Sequence, residues 1–189
     1  MSIRPHSKED ARQGYVVALL VIVASLGFGL FGLPRFGKHV AHSESPLVGR
    51  PAADFMLRTI SGDSVGKMQR LSDLQGKTVL LDFFASWCGP CREQAPIVDR
   101  VARRLVGTNF AVYGVDTSDQ IADAEHYLDE HRPSYPVLFD ADNQAANAFD
   151  VTGLPTLLVI DKGGIVRAIE MRVVGESELD SLVHDTLGN

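Results

Sequence analysis

Both cysteines of this 189-residue chain fall within one short stretch, Trp87-Cys88-Gly89-Pro90-Cys91. Two thiols at this spacing could serve a metal site, a structural disulfide or dithiol–disulfide exchange. Structural zinc takes four ligands as a rule, and the chain has no second cysteine pair. His126 and His131 lie on a predicted helix far downstream, at a spacing unlike that of a zinc finger. A disulfide across two residues closes almost no loop and would barely constrain the unfolded chain. Exchange chemistry fits better. An apolar run precedes the pair and helical periodicity follows it, which puts Cys88 at a helix N-terminus. Free N–H groups and the helix dipole there favour a thiolate. Cys91, one turn on and more buried, is poised to resolve a mixed disulfide. Gly89 and Pro90 fix the turn between them.

Asp82 is the second chemical signal. It interrupts TVLLDFFA (78–85), a run apolar enough to be buried on both faces of a sheet. An unpaired carboxylate is expensive there, and burial should raise its pKa toward the range of a usable general base for Cys91.

The elements that must position these groups alternate between strand and helix. Strands are predicted at 54–60 and 65–70 as a hairpin, then at 78–85, 110–115 and 137–140, with a second hairpin formed by 156–161 and 165–173. Ser72 is expected to cap a short turn through Leu74. Helices are predicted at 92–106, 120–131, 144–149 and 178–187. The fold class is therefore α/β, a layered domain with helices on a sheet. Pro96 falls inside the first of these helices and should kink it.

Residues 14–34 contain no charge over a length that matches a bilayer's hydrocarbon core, about 30 Å. No small-x-small cleavage pattern follows, so the segment reads as an uncleaved transmembrane anchor rather than a signal peptide. Arg4, Lys8 and Arg12 before it, against Arg35 and Lys38 after it, favour a cytoplasmic N-terminus by a narrow margin. The expected organisation is a short cytoplasmic stub (1–13), the anchor (14–34), a polar linker (35–47) and one domain (48–189) facing the periplasm or extracytoplasmic space. From Ser43 onward there are 13 Lys/Arg and 22 Asp/Glu, a net charge of −9. That balance argues against a nucleic-acid partner. The one basic cluster, Arg100, Arg103 and Arg104, reads as a solvated helix face.

The stretches VLLDFFASWCGPCREQAP and GLPTLLVID resemble the thioredoxin superfamily. The preceding SPLVGRPAADF and LSDLQGK, the anchor, and the segment PVLFDADNQAANAFDV resemble its TlpA/ResA branch of tethered thiol-disulfide oxidoreductases. The resemblance implies a thioredoxin-like fold, a central mixed sheet flanked by helices, with an N-terminal β-hairpin extension and a central insertion. It implies that Pro155 is the family's cis-proline, with backbone at Leu154 and the ring of Trp87 contacting substrate, and with Gly89, Pro90 and Pro96 in support. Asp82 matches thioredoxin's buried acid. Two positions depart from the pattern. The branch commonly has Asn at position 82 and Glu three residues after the second cysteine, where this chain has Gln94. The lysine that partners thioredoxin's acid is replaced by Val112. The acid function is thus expected to have moved to Asp82, while Glu93 should face solvent.

The expected activity is reduction of protein disulfides outside the cytoplasm, in cytochrome c maturation or a related assembly. Electrons would come from a transmembrane disulfide-reducing partner, since the sequence carries no flavin or nicotinamide fingerprint. No cofactor beyond a redox-active Cys88–Cys91 disulfide is expected. Oxidation or isomerisation of targets uses the same chemistry, its direction set by reduction potential. A chaperone holding a metal or an apo-protein at the two thiols is the reading from another class.

Overall fold

A computed structural model describes residues 45–188 of the chain. The expected anchor and stub, with most of the linker, lie outside the described residues. Among these, no helix is long and apolar enough to cross a membrane.

Seven strands form one mixed sheet: β1 (Met56–Thr59), β2 (Met68–Arg70), β3 (Thr78–Phe84), β4 (Phe110–Thr117), β5 (Val137–Asp140), β6 (Thr156–Ile160) and β7 (Val166–Glu170). Their spatial order is β2-β1-β5-β4-β3-β6-β7. β3, β4 and β5 run parallel, while the β1–β2 pair and the β6–β7 pair join antiparallel at either side. Parallel strands need crossovers on the sheet faces, and these are supplied by α1 (Gly89–Arg104) and α2 (Ile121–His131). Helices α3 (Gln144–Ala148) and α4 (Glu176–Leu187) complete the layers. The thioredoxin-like α/β fold is thus present, with the hairpin ahead of the first parallel strand and α2, β5 and α3 inserted before β6.

β3 is central and buried at every residue. Its alternation splits the core. Leu80 and Phe84 face one cluster with Val98 and Val101 of α1, Tyr127 and Leu128 of α2, and Leu179 and Val183 of α4. Val79, Leu81 and Phe83 face the other, with Leu71, Leu74, Ala145 and Phe149. Each large side chain so buried contributes about 1.5–3 kcal/mol, which is why the sheet holds a fixed position beneath α1.

Several boundaries differ from expectation for identifiable reasons. The helix expected from Arg92 begins at Gly89, because the Cys88 sulfur accepts the Cys91 amide at 3.2 Å and thereby caps it, with Pro90 in the first turn where no amide partner is needed. The helix then continues through Pro96 to Arg104. Ser72 does not cap the short 3-10 turn Leu71–Leu74. Its amide and hydroxyl instead donate to Asp54, at 2.9 and 3.0 Å. The Arg100–Arg104 cluster is only in part a solvated face. Arg100 and Arg104 pair with Glu176, and Arg104 with Asp180, joining α1 to α4, while Arg103 pairs with Asp99 on its own helix. Exposed pairs of this kind are screened by solvent and add little to stability.

Gly114 is a tight point in the sheet. A Cβ there would lie 3.0 Å from Phe84 Cε1 and 3.0 Å from Val137 Cγ2. Gly114→Val is expected to destabilise the domain by about 1–3 kcal/mol through overpacking, read as a lower urea midpoint at unchanged slope.

Candidate active site

β3 leads directly into the turn Ala85–Trp87, and α1 opens on the cysteine pair. Cys88 and Cys91 form a disulfide. Cys88 has the extended backbone of a cap residue, and α1 carries no acidic residue in its first turn. In the reduced protein a thiolate at Cys88 would therefore face the positive end of the helix with no local carboxylate opposing it. Both cysteines are buried, Cys91 slightly more so, and both belong to the cluster that holds Leu80 and Phe84.

Asp82 lies between Leu80 and Phe84 on β3, and the alternation of the strand points it to that same face. It is 2% exposed. The Tyr135 hydroxyl donates to its Oδ2 at 3.4 Å, and among the described residues nothing reaches Oδ1. Burial pushes its carboxyl up to about 7, with the weak Tyr135 contact acting in the opposite sense. Val112, opposite Leu80 in the parallel ladder, is buried and brings no charge to the carboxyl. A cavity of about 230 Å³ opens beside it, lined by Phe84, Tyr127 and Tyr135 with Arg92, Pro96 and His131 at its rim. That space is large enough to admit water, which would connect the carboxyl to bulk protons. Arg92 lies 5.4 Å from the centre of the Tyr127 ring, and the His131 ring stacks on Tyr127 with centroids 4.0 Å apart.

The remaining expected residues divide clearly. The Leu154–Pro155 bond is cis, and Leu154 packs against both core clusters at the start of β6. Trp87 is 64% exposed, so it is a surface ring rather than part of the core. Its indole N–H donates to the Ser118 carbonyl at 3.0 Å, which fixes the ring's direction beside the cysteines. Glu93 faces solvent, as expected. Gln94 is fully buried, and its Oε1 accepts the Val174 amide at 2.7 Å, tying α1 to the segment before α4. A neutral amide there holds structure but cannot take a proton. His126, exposed on α2 with Glu130 one turn on, lines a shallow pocket together with Ser86, Trp87 and Arg92.

The sequence did not single out Tyr127, Tyr135, Asp116 or Asp119. Asp116 ends an apolar strand much as Asp82 interrupts one, which was the available signal. The structure extends β4 to Thr117 and buries Asp116 completely.

A disulfide at a helix N-terminus, with a buried carboxyl on the same face of the sheet whose burial pushes it up to about 7, is equipped for thiol–disulfide exchange and for moving the accompanying proton. Comparison with known proteins agrees. The profile of the AhpC/TSA family matches residues 48–169. The thiol-disulfide oxidoreductase ResA of Bacillus subtilis (strain 168) is 30% identical over 167 residues, covering 88% of this chain and 86% of the relative. The ResA of Geobacillus thermodenitrificans (strain NG80-2) is 29% identical over 153 residues, covering 81% and 83%. Among solved structures, a putative thiol:disulfide interchange protein DsbE from Chlorobium tepidum superposes with a TM-score of 0.68 at 31% identity, covering 75% of this chain and 98% of that one. The chain therefore belongs to the AhpC/TSA family, and it is a thioredoxin-like thiol-disulfide oxidoreductase.

Proposed function

We propose that the enzyme is anchored through residues 14–34 and reduces protein disulfides outside the cytoplasm. The Cys88 thiolate attacks one sulfur of the substrate disulfide, forming a mixed disulfide and releasing the other sulfur as a thiolate. Asp82 then takes the Cys91 proton, and Cys91 attacks Cys88. The second substrate sulfur leaves, and Cys88–Cys91 ends as the disulfide. Two electrons pass to the substrate, and a membrane dithiol donor must return them. Trp87 and the backbone at Leu154–Pro155 form the contact surface for the substrate chain. The names of the ResA and DsbE relatives support this chemistry, and cytochrome c maturation is the proposed setting.

The observation that carries the reading is the position of Asp82, buried on the same face of β3 as the cysteine cluster and holding its proton to about pH 7. An exchange enzyme needs a base that matches the ambient pH, whereas a passive binding module needs none. Cys91→Ser in the full-length membrane protein should accumulate covalent substrate complexes that are released by added dithiol. Full turnover by that variant, with no trapped complex, would instead support a binding module. Direction is tested by equilibration with glutathione: a strongly reducing potential is expected, and a value near that of dedicated oxidants contradicts a reductase.

A further inference from the structure

The turn that presents Trp87 beside Cys88 is held largely by the segment that ends β4 and follows it. The Ser86 amide donates to Asp119 Oδ2 at 2.6 Å, and the Trp87 indole N–H donates to the Ser118 carbonyl at 3.0 Å. From the other side, the Arg92 guanidinium donates to the Ser86 carbonyl at 3.1 Å. Ser118 is not in a conformation it would keep unaided. It has φ +56, a left-handed backbone rare for residues other than glycine, asparagine and aspartate. One atom holds it there. Asn143 Oδ1 accepts the Ser118 amide at 2.8 Å, the Ser118 hydroxyl at 3.0 Å and the Thr117 hydroxyl at 2.8 Å.

The Asn143 side chain is free for this because another residue does the work its position usually does. It directly precedes α3, where an asparagine commonly caps the helix. Here it makes no such bond, and Asp140 accepts the Ala145 and Ala146 amides in its place. Asn143 itself has φ +58, a conformation that asparagine tolerates. A chain of hydrogen bonds thus runs from the inserted segment, through Ser118, to the indole ring. That ring forms part of the wall of the shallow pocket lined by Ser86, Arg92 and His126.

We infer that Asn143 is a positioning residue for polypeptide substrates: by holding Ser118 it fixes the direction of the Trp87 ring beside Cys88. The inference deepens the reading of Trp87 as a substrate contact and rests on it. Without the Asn143 acceptor, Ser118 relaxes toward ordinary backbone angles, its carbonyl turns, and the indole loses its fixed partner. A polypeptide must then order the ring as it binds, which costs affinity that a preorganised surface retains. A small disulfide offers only its sulfurs and their immediate substituents, so it depends far less on the ring. Asn143 takes no part in the bond-making steps at Cys88 and Cys91. Its effect therefore falls on KM for a protein disulfide rather than on kcat.

Two substitutions separate the acceptor from the backbone it sits on. Asn143→Gly keeps the left-handed conformation without strain and deletes the acceptor, whereas Asn143→Asp keeps an acceptor in place. Trp87 is the only tryptophan in the chain, so nitrogen-15 relaxation of one indole signal reports on the ring in the full-length oxidised protein. Wild type and Asn143→Asp should give an order parameter near that of rigid backbone, about 0.85, and Asn143→Gly one below about 0.6. In turnover, Asn143→Gly should raise KM for insulin at least about threefold with kcat kept, and Asn143→Asp should restore it. A ring that stays rigid in Asn143→Gly, an unchanged KM, or equal losses on insulin and a small disulfide overturns the inference. A mobile indole in the wild type overturns it without any variant. If Asn143→Gly does not fold, Ser118→Ala removes one of the three donors and should move both readouts in the same direction. A rigid ring with unchanged KM in that variant is the contradicting result. A wild-type protein that reduces neither insulin nor a small disulfide sinks the exchange reading instead, and the indole relaxation still decides whether Asn143 holds the ring.

Discussion

Cys88→Ser abolishes disulfide reduction, with an expected loss of at least about 10³-fold measured against insulin or a small disulfide. A serine hydroxyl at this position can still cap α1, so the helix and the sheet beneath it should form. It cannot form a bond to sulfur under these conditions, and its pKa lies far above any pH the helix N-terminus could compensate. No other cysteine exists to take over the attack. Cys91→Ser should differ in kind: the first attack survives and the mixed disulfide persists. Circular dichroism matching the wild type is the control, since both cysteines are buried in the core. A Cys88→Ser protein that retained turnover would place the chemistry elsewhere.

The second large effect is expected from Asp82→Asn. Proton transfer by a positioned base contributes about 10²–10⁴-fold to rate, so resolution at neutral pH should slow by at least about tenfold. The limb near pH 7 in the pH–rate profile should disappear, because asparagine keeps the shape and the Tyr135 contact but cannot accept the Cys91 proton. An unchanged profile would remove Asp82 from the mechanism. Stability should change in the opposite sense. The unfolded acid ionises near 3.8 and the folded one near 7, so the folded protein binds the extra proton between those values. Stability contributed by this group is present below about pH 4 and is lost as pH rises toward 7, with a slope that approaches about 1.4 kcal/mol per pH unit. Asp116 extends the same decline to about pH 8. Asp82→Asn should therefore flatten the fall of the urea midpoint between pH 4 and 7 and leave the remainder to Asp116. Loss of activity with a gain of stability at neutral pH is the signature of a buried functional acid.

The parts of this site that were legible in the sequence are those encoded within a few residues of one another. The run at 78–85 announced a doubly buried strand, its single acid stood out, and Cys-Gly-Pro-Cys after a strand defined the helix entry. The start of α1 was misjudged because Gly89-Pro90 looks like a turn until a cap at Cys88 is recognised. The burial of Asp116 was not legible because an apolar strand is expected to end before its first charged residue, as solvent exposure requires for most aspartates. Its burial comes from its place between β3 and β5, opposite Phe84 and Phe139, neither of them local to it. Tyr135 lies between Pro133 and Pro136 in a segment that reads as loop, and only the fold brings its hydroxyl to Asp82, 53 residues away. The arginine cluster on α1 looked solvated because the acidic partners of Arg100 and Arg104 lie more than 70 residues along the chain. Local pattern was sufficient for the reacting atoms. The groups that tune them came from tertiary contacts.

The most direct measurement is the pH dependence of Cys88 alkylation in Cys91→Ser, followed by mass spectrometry. A single thiol then remains, at the start of α1. If the helix terminus stabilises the thiolate, half-maximal reactivity should fall below about pH 7.5, within the range of activated cysteines. A midpoint near 8.5, that of an unperturbed thiol, would contradict the account at its first step.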